Sequence, residues 1–545
     1  MKRIKKLLAV MLAAIMVMSM GTSVFADDDT TSITIKNVAT SSHTFKAYQV
    51  FDGDVSGSTM SNVTWGTGID SSKLLSAIVN LTDTDTLYSY FNSKGITVNS
   101  SAADVAKIVA DNYSQTTFVT AFAALVQSCV KEEATGSSSG GTVQSDGTYT
   151  YTISSLDPGY YLVTDSTTST SDDAVSKYML KVISGASNEL DTKSVVPTVS
   201  KTVTNTSDTE SVATSASAGE TVSFTLIGSV PSDVDDYYIS YTYKFVDTMS
   251  TNLTYVEDSI VVKTYTNAEC TNGEETLSNT SSNDNAYYTV TASGQSVTVE
   301  ISNALKLAGK YIKVTYSATV GSDITAGNAE TNEVYIEYTN DSNTSGTGQT
   351  TTEKVYVYTF DLDLVKTYNG TAPESGDQAQ FTLYKEASVS SETNFTGTTK
   401  YYTISGNTVT EASSYVVDTK YYVFVDAQTV SGESSYSATF SDLGEGSYIL
   451  IETHTPAGYN TADAVSFTIA ATYDESGNVT SLTSSTGVSP KENYTTSKVT
   501  TTVANNAGSS LPSTGGIGTT IFYVVGAILV LGAGVVLITR RRMAR

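Results

Sequence analysis

The sequence predicts a mainly β protein built from three tandem, immunoglobulin-like β-sandwich domains, the first with added helices. Three observations predict it. A length of 545 residues fits three or four domains. The body is rich in Thr, Ser, Tyr, Val and Gly, which favours strands separated by turns. Polar and apolar residues alternate in Thr221 to Ile227, Tyr311 to Tyr316 and Glu333 to Tyr338, so each segment turns one face inward.

The two ends are set apart before the fold is read. At the N-terminus, Lys2, Arg3, Lys5 and Lys6 form a basic head, an apolar run follows, and Ala26 closes a small-residue stretch before Asp27. Residues 1–26 are therefore expected to be a secretory signal peptide. At the C-terminus, Ile521 to Thr539 is apolar and long enough to cross a bilayer as a helix. Arg540, Arg541 and Arg542 follow at once and belong on the cytoplasmic side. The bulk of the chain is thus expected outside the cell.

Between these ends the first domain is expected at 27–195, the second at 196–355 and the third at 356–507. The first starts with strands near Ile33 to Ile35 and His43 to Val50. Ser101, with Asp104 three residues on, is an N-cap signal for one helix, and Gln115 to Val130 predicts another. Strands resume at Tyr149 to Ile153 and, after the Asp157-Pro158-Gly159 turn, at Tyr160 to Thr164. The second and third domains read as all-β sandwiches. The polar stretch Asn340 to Thr352 is either a linker or a long hairpin.

Charge excludes one class of partner. The chain has 30 basic and 56 acidic residues, with 4 basic residues in the signal and 4 in the tail. The body is therefore 22 − 56 = −34 and lacks Arg altogether. A nucleic-acid binder needs the opposite surface. Acidity keeps an extracellular chain soluble. Cys129 and Cys270 are expected in different domains, so no disulfide framework holds the fold. His43 and His454 also lie in different domains, and no Ser/His/Asp or Cys/His set can be assembled. The sequence shows neither a metal-ligand cluster nor a phosphate loop. The chain is not expected to be an enzyme or to need a cofactor. Trp65, the single tryptophan, reads as core.

One motif carries chemistry directly. Leu511, Pro512, Ser513, Thr514 and Gly515 stand just ahead of the apolar span and the arginines. Pro512 keeps the peptide extended. Residues 511–545, within the terminal segment 508–545, resemble the cell-wall sorting signal of Gram-positive surface proteins. The resemblance implies that a sortase cysteine attacks the Thr514 carbonyl, releases Gly515 onward, and hands the acyl group to an amine. It also implies a cell-wall-anchored protein with a transient membrane stage.

The third domain bears on which amine that is. Phe440 to Tyr459 resembles the end of a collagen-adhesin B-type domain, the stretch called the E-box in pilins. The resemblance implies an intramolecular isopeptide bond between Lys366 on the first strand and Asn505 on the last, assisted by Glu452. Asn506 competes with Asn505, which shares the parity of Val503. The chemistry demands these types. A lysine attacks as a neutral amine, which burial favours. A buried carboxylic acid hydrogen-bonds the amide and relays protons as ammonia leaves. The second domain resembles the middle domain of pilus backbone subunits, which implies a bond between Lys201 and Asn332, assisted by Asp247. Lys193, at the junction of the first two domains, is placed like the polymerising lysine of backbone pilins, though Thr192 precedes it in place of proline. Lys181 and Lys177 compete for that role. Asp165 sits near the E-box glutamate position of the first domain and Lys36 is a conceivable partner, but without an Asn acceptor no bond is expected there.

The whole resembles Gram-positive LPXTG-anchored major (backbone) pilins. That implies as partners a sortase, further copies of the chain, accessory pilins and peptidoglycan, with a host surface ligand as a further candidate. A monomeric wall-anchored adhesin or a minor pilin shares the sorting signal without needing Lys193.

Overall fold

The computed structural model describes residues 31–38, 43–167, 173–185, 188–192, 196–204, 210–238, 240–281, 285–322, 324–344, 346–433, 435–485, 488–490, 497–508 and 517–543. The signal peptide, Lys193 and the pentapeptide Leu511 to Gly515 lie outside them. The described residues form two compact units. One comprises those of Met1–Ile324, Ala329–Tyr358 and Glu475–Asn478, the other those of Thr325–Asn328, Thr359–Asp474 and Val479–Arg545.

The first unit holds two pairs of sheets. In the earlier pair, a four-stranded sheet runs in the order Thr142–Val143, Tyr149–Leu156, Thr31–Val38, Asn188–Asp191. The facing sheet runs Thr59–Trp65, Phe45–Ser56, Gly159–Asp165, Met179–Ile183, with Gly136–Ser137 paired to Phe45–Ser56. This second sheet is covered on both faces. Phe45, Ala47, Tyr161 and Val163 pack against Ile33, Ile35, Tyr151 and Ile153 of the four-stranded sheet. Tyr48, Val50, Tyr160 and Leu162 point the other way into a helical layer. Hence Gly159–Asp165 is buried at every position and carries the continuous apolar stretch Tyr160 to Val163, as strands covered on both faces do.

The helical layer consists of Ser71–Val79, Tyr88–Asn92, Ala102–Asn112 and Thr116–Gln127. Ser101 and Asp104 form the reciprocal capping box that the sequence signalled. The helix expected over Gln115 to Val130 is present as Thr116–Gln127. Two helices were not read from the sequence. Ser71–Val79 is capped by Asp70, which accepts from the Lys73 amide at 3.0 Å, and Tyr88–Asn92 is one short turn lacking a side-chain cap. Phe118 and Phe122 stack in the middle of the layer, and Phe91 is tilted against both. Trp65 leans on Phe51 at 5.6 Å between ring centroids, on the edge of this core.

In the later pair, one sheet runs Val199–Thr204, Thr221–Ser229, Tyr311–Val320, Val261–Tyr265, Glu275–Thr276, with Leu253–Tyr255 also on Tyr311–Val320. The other runs Ala213–Ser215, Glu353–Tyr358, Glu330–Thr339, Tyr243–Met249, Ser296–Ser302, Tyr287–Ser293. Residues 340–352 are a hairpin and not a linker. Thr347–Gln349 folds back so that Glu337 faces Gln349 and Thr339 faces Thr347.

The second unit pairs a four-stranded sheet, Tyr436–Leu443, Phe360–Asn369, Lys498–Asn506, Val488–Pro490, with a seven-stranded one. The latter runs Thr408–Glu411, Tyr402–Ser405, Tyr421–Thr429, Gln380–Ala387, Gly446–His454, Val465–Tyr473, Val479–Ser484. Phe360–Asn369 and Lys498–Asn506 lie parallel and adjacent, with Lys366 opposite Val503 and Tyr368 opposite Asn505. The chain then continues into the helix Ile517–Met543. Its apolar stretch from Ile521 has the length of a membrane span, and the three arginines near its C-terminus complement the helix dipole. Cys129 is buried, Cys270 is half-buried, and both are free thiols.

The aromatic stack gives a test of this packing. Phe122 is fully buried. Phe122→Ala leaves a cavity and is expected to destabilise the first unit by about 3–5 kcal/mol. A denaturant titration read by a probe in that unit measures it.

Candidate functional site

Strand alternation should send every second residue inward, and the inward set normally excludes lysine. Two lysines break that expectation. On Val199–Thr204, Lys201 shares the inward face with Val203 and is 5 % exposed. On Phe360–Asn369, Lys366 follows Leu362 and Leu364 inward and is 2 % exposed. Lys201 contacts a buried acid and Lys366 lies within electrostatic reach of one, and each acid is linked to a buried asparagine, through Tyr316 in the first case and directly in the second.

In the first unit, Lys201 Nζ donates to Asp247 Oδ2. Asp247 comes from the facing sheet, on Tyr243–Met249. Its Oδ1 accepts from the Tyr316 hydroxyl at 2.6 Å. That hydroxyl in turn accepts from Asn332 Nδ2 at 2.5 Å. Asn332, on Glu330–Thr339, is fully buried, and its Oδ1 lacks a hydrogen-bond partner. The Lys201 ammonium is roofed by the rings of Phe224 at 5.3 Å and Tyr316 at 5.9 Å. Burial pulls the Lys201 amine below the ordinary lysine range, although Asp247 opposes this. Burial likewise pushes Asp247 above the ordinary carboxyl range, against Lys201, Tyr316 and Asn332. Both directions favour the same state, a neutral amine beside a protonated acid.

In the second unit, Lys366 Nζ donates to the carbonyls of Thr367 and Val503 at 3.1 and 3.3 Å and lies 4.4 Å from the centre of the Tyr368 ring. Burial lowers its pKa to about 8, with Glu452 pulling the other way. Glu452, on Gly446–His454 of the facing sheet, is buried. Its Oε2 accepts from Asn505 Nδ2 at 2.9 Å and from the Ala462 amide at 2.6 Å. Asn505 Nδ2 also donates to the Asn460 carbonyl at 2.6 Å. Glu452 Oε1 and Asn505 Oδ1 are buried without partners. Asn506 points outward and is exposed, its Oδ1 accepting from Asn369 Nδ2 at 3.4 Å.

The structure thus brings Lys201, Asp247 and Asn332 to one point and Lys366, Glu452 and Asn505 to another. Sequence reasoning missed the residues that complete these sites. Tyr316 links acid to amide in the first, and its parity with Ile312, Val314 and Ala318 on Tyr311–Val320 was the available signal. The Asn460 carbonyl and Ala462 amide complete the second, and irregular backbone carries no such pattern. The first-domain pair of Lys36 and Asp165 is not assembled. Lys36 pairs with Glu189 near the surface, and Asp165 is turned to His43.

Comparison with known proteins extends the picture. Residues 504–544 match the LPXTG cell wall anchor motif. Residues 377–484 match the SpaA prealbumin-like fold domain. No curated protein matches the chain. Among solved structures, the T6 backbone pilin of serotype M6 Streptococcus pyogenes is 14% identical, with 89% of this chain and 100% of that one covered and a TM-score of 0.51. The full-length major pilin SpaD from Corynebacterium diphtheriae is 15% identical, with 89% and 99% covered and a TM-score of 0.45. The chain is therefore a cell-wall-anchored surface protein that carries an LPXTG anchor and a SpaA-type prealbumin-like domain and resembles a Gram-positive backbone pilin in fold.

Proposed function

We propose that this chain is the backbone subunit of a sortase-assembled pilus, with a structural and not an enzymatic role. The observation that carries this reading is the anchor motif over 504–544, which provides for sortase transfer, on a chain with a backbone pilin's fold. A sortase cleaves between Thr514 and Gly515, and the acyl group is joined to Lys193 of the next copy. The last copy is joined to peptidoglycan, and accessory pilins attach by the same chemistry. The body divides into domains 27–195, 196–355 and 356–507, with Lys193 at the first junction.

Within each subunit, Lys201 is joined to Asn332 and Lys366 to Asn505. The neutral lysine Nζ attacks the asparagine Cγ, the Nζ–Cγ bond forms, the Cγ–Nδ2 bond breaks, and ammonia leaves. Asp247 or Glu452 moves the proton from Nζ to the departing nitrogen. The buried partners, the lowered lysine pKa values and the orphaned amide oxygens support this reading. By analogy with a disulfide closing a loop of roughly 130 residues, each bond adds about 5 kcal/mol.

Three experiments test the proposal. Intact-mass measurement of residues 27–510 should find the chain about 34 Da light, because each bond releases one ammonia of about 17 Da. Asp247→Ala and Glu452→Ala should each restore about 17 Da, and an unshifted wild-type mass rejects the bonds. Tyr316→Phe leaves buried atoms of Asp247 and Asn332 without their shared hydroxyl. It should lower stability by about 1–3 kcal/mol in a denaturant titration. Finally, Lys193→Ala should abolish the high-mass ladder in wall extracts. A ladder that persists assigns the linkage to another lysine such as Lys181 or Lys177. A wild-type chain that never forms a ladder beside an active sortase is a monomeric anchored adhesin.

A further inference from the structure

His43 stands apart from both lysine sites. It is one of only two histidines in the chain and is 6 % exposed. Its Nδ1 lies 2.8 Å from Asp165 Oδ2, and its Nε2 lies 2.9 Å from Asp173 Oδ2. Both carboxylates are buried as well. An imidazole with a carboxylate at each nitrogen satisfies both only as the cation, which donates from both nitrogens. The neutral ring would turn a lone pair toward one of the two acids.

Backbone donors fix the acids in place. The Ser176 amide donates to Asp165 Oδ2 at 3.0 Å, the Thr167 amide to Asp165 Oδ1 at 3.1 Å, and the Ala174 amide to Asp173 Oδ1 at 2.8 Å. Phe45 stacks on the imidazole at 5.7 Å. Tyr151 meets it edge-on at 6.3 Å and accepts from the His43 amide at 3.1 Å.

The segment 173–178 is also the seam between the two sheet pairs of the first unit. The Val175 amide donates to the Asn340 carbonyl at 2.7 Å, and Val175 forms a parallel bridge with Asp341. The Asp173 carbonyl accepts from Asn340 Nδ2 at 3.2 Å and from the Tyr338 hydroxyl at 3.3 Å. The Tyr178 amide donates to Asn343 Oδ1 at 2.9 Å, and Asn343 Nδ2 returns a bond to the Ser176 carbonyl at 3.0 Å. Asp173 therefore holds His43 with its side chain and the later sheet pair with its backbone.

We propose that His43 is an ionic latch: as a cation clamped by Asp165 and Asp173, it fixes segment 173–178 against residues 338–343 and so holds the two sheet pairs of the first unit together through a reversible contact. The titratable groups facing the ring are Asp165 from the end of Gly159–Asp165, Asp173 from the seam, and Tyr151 from Tyr149–Leu156. Burial pushes Tyr151 above the ordinary tyrosine range, so it stays neutral. Lys177, in the same segment, acts electrostatically on Asp236. For His43, burial by itself lowers the pKa, but the hydrogen bonds and charges of the two acids overcome it and hold the ring at about 9. The native state then keeps a proton that the unfolded chain releases at its ordinary value of 6.5. The latch's contribution is complete below about pH 6.5, declines above that, and is gone once the pH has risen through about 9.

The test uses the full-length chain in detergent micelles with ring-labelled histidine. Two resonances are expected, and His454→Gln assigns them. The His43 signal should remain in its protonated position through neutral pH and titrate near 9, and Asp173→Asn should move that midpoint down by about one unit or more. At neutral pH, His43→Gln should speed hydrogen exchange about tenfold or more in both 173–178 and 338–343, and leave Tyr243–Met249 unchanged. A His43 midpoint at or below 6.5 overturns the latch, as does faster exchange confined to 173–178. Should His43→Gln fail to fold, the wild-type titration and Asp173→Asn decide the matter alone.

Discussion

A lysine enclosed in the core of a β-sandwich is the constraint on which the two candidate sites depend. An isolated ammonium in such surroundings is strongly disfavoured, and an ion pair there must recover the desolvation of both partners. At Lys201 and Lys366 burial shifts the balance toward the neutral amine by lowering its pKa, and in the first site it also raises that of the acid. The arrangement that makes the lysine tolerable as a folded residue is the one that would make it a nucleophile in the proposed bond formation. The aromatic roof over each amine serves both ends. Phe224 and Tyr316 over Lys201, and Tyr368 beside Lys366, exclude water and favour whatever cationic fraction remains.

The two sites use different geometry. Lys201 lies on one sheet and Asp247 and Asn332 on the other, so a bond between Lys201 and Asn332 would pin sheet to sheet. Lys366 and Asn505 lie on neighbouring parallel strands of one sheet, and only Glu452 reaches across. In the second unit the first and last strands are themselves that parallel pair. Tension applied at the start of Phe360–Asn369 and the end of Lys498–Asn506 would load their ladder in shear, with all its hydrogen bonds sharing the force. A covalent link near the far end of that ladder would remove the remaining route by which the strands could slide.

Much of this was legible in the sequence because strand parity is a strong rule. It favoured Asn505 over Asn506, whereas Lys201 and Lys366 came from the resemblance to pilin domains, and the structure then shows each sharing the inward face of its strand with apolar neighbours. What was not legible depended on distance along the chain or on ambiguous residue types. Tyr316 had the right parity, but a chain with 36 tyrosines gives no reason to single one out. The helix Ser71–Val79 begins at an ordinary aspartate cap amid polar residues, and its apolar face is fixed by the layer it packs into. Asp165 resembled an E-box acid, and its neighbourhood suggested a lysine partner. Its actual partner, His43, lies 122 residues away, and the third member, Asp173, lies 130 residues from His43. No local pattern joins three such positions.

The histidine and lysine sites solve one problem in two ways. The body of this chain is strongly acidic and lacks arginine, so any cation it buries must be lysine or histidine. Lysine holds its proton tightly in water. Burying it therefore forces a large shift, which an acid and an amide can convert into a permanent bond. Histidine needs little forcing in either direction. With an acid on each nitrogen it keeps its charge, and the contact remains an equilibrium. A seam between two sheet pairs that is held by hydrogen bonds and a reversible ion contact can reopen and reclose. A sandwich closed by a lysine–asparagine bond cannot, so the choice of buried cation separates the joints of the first unit from its cores.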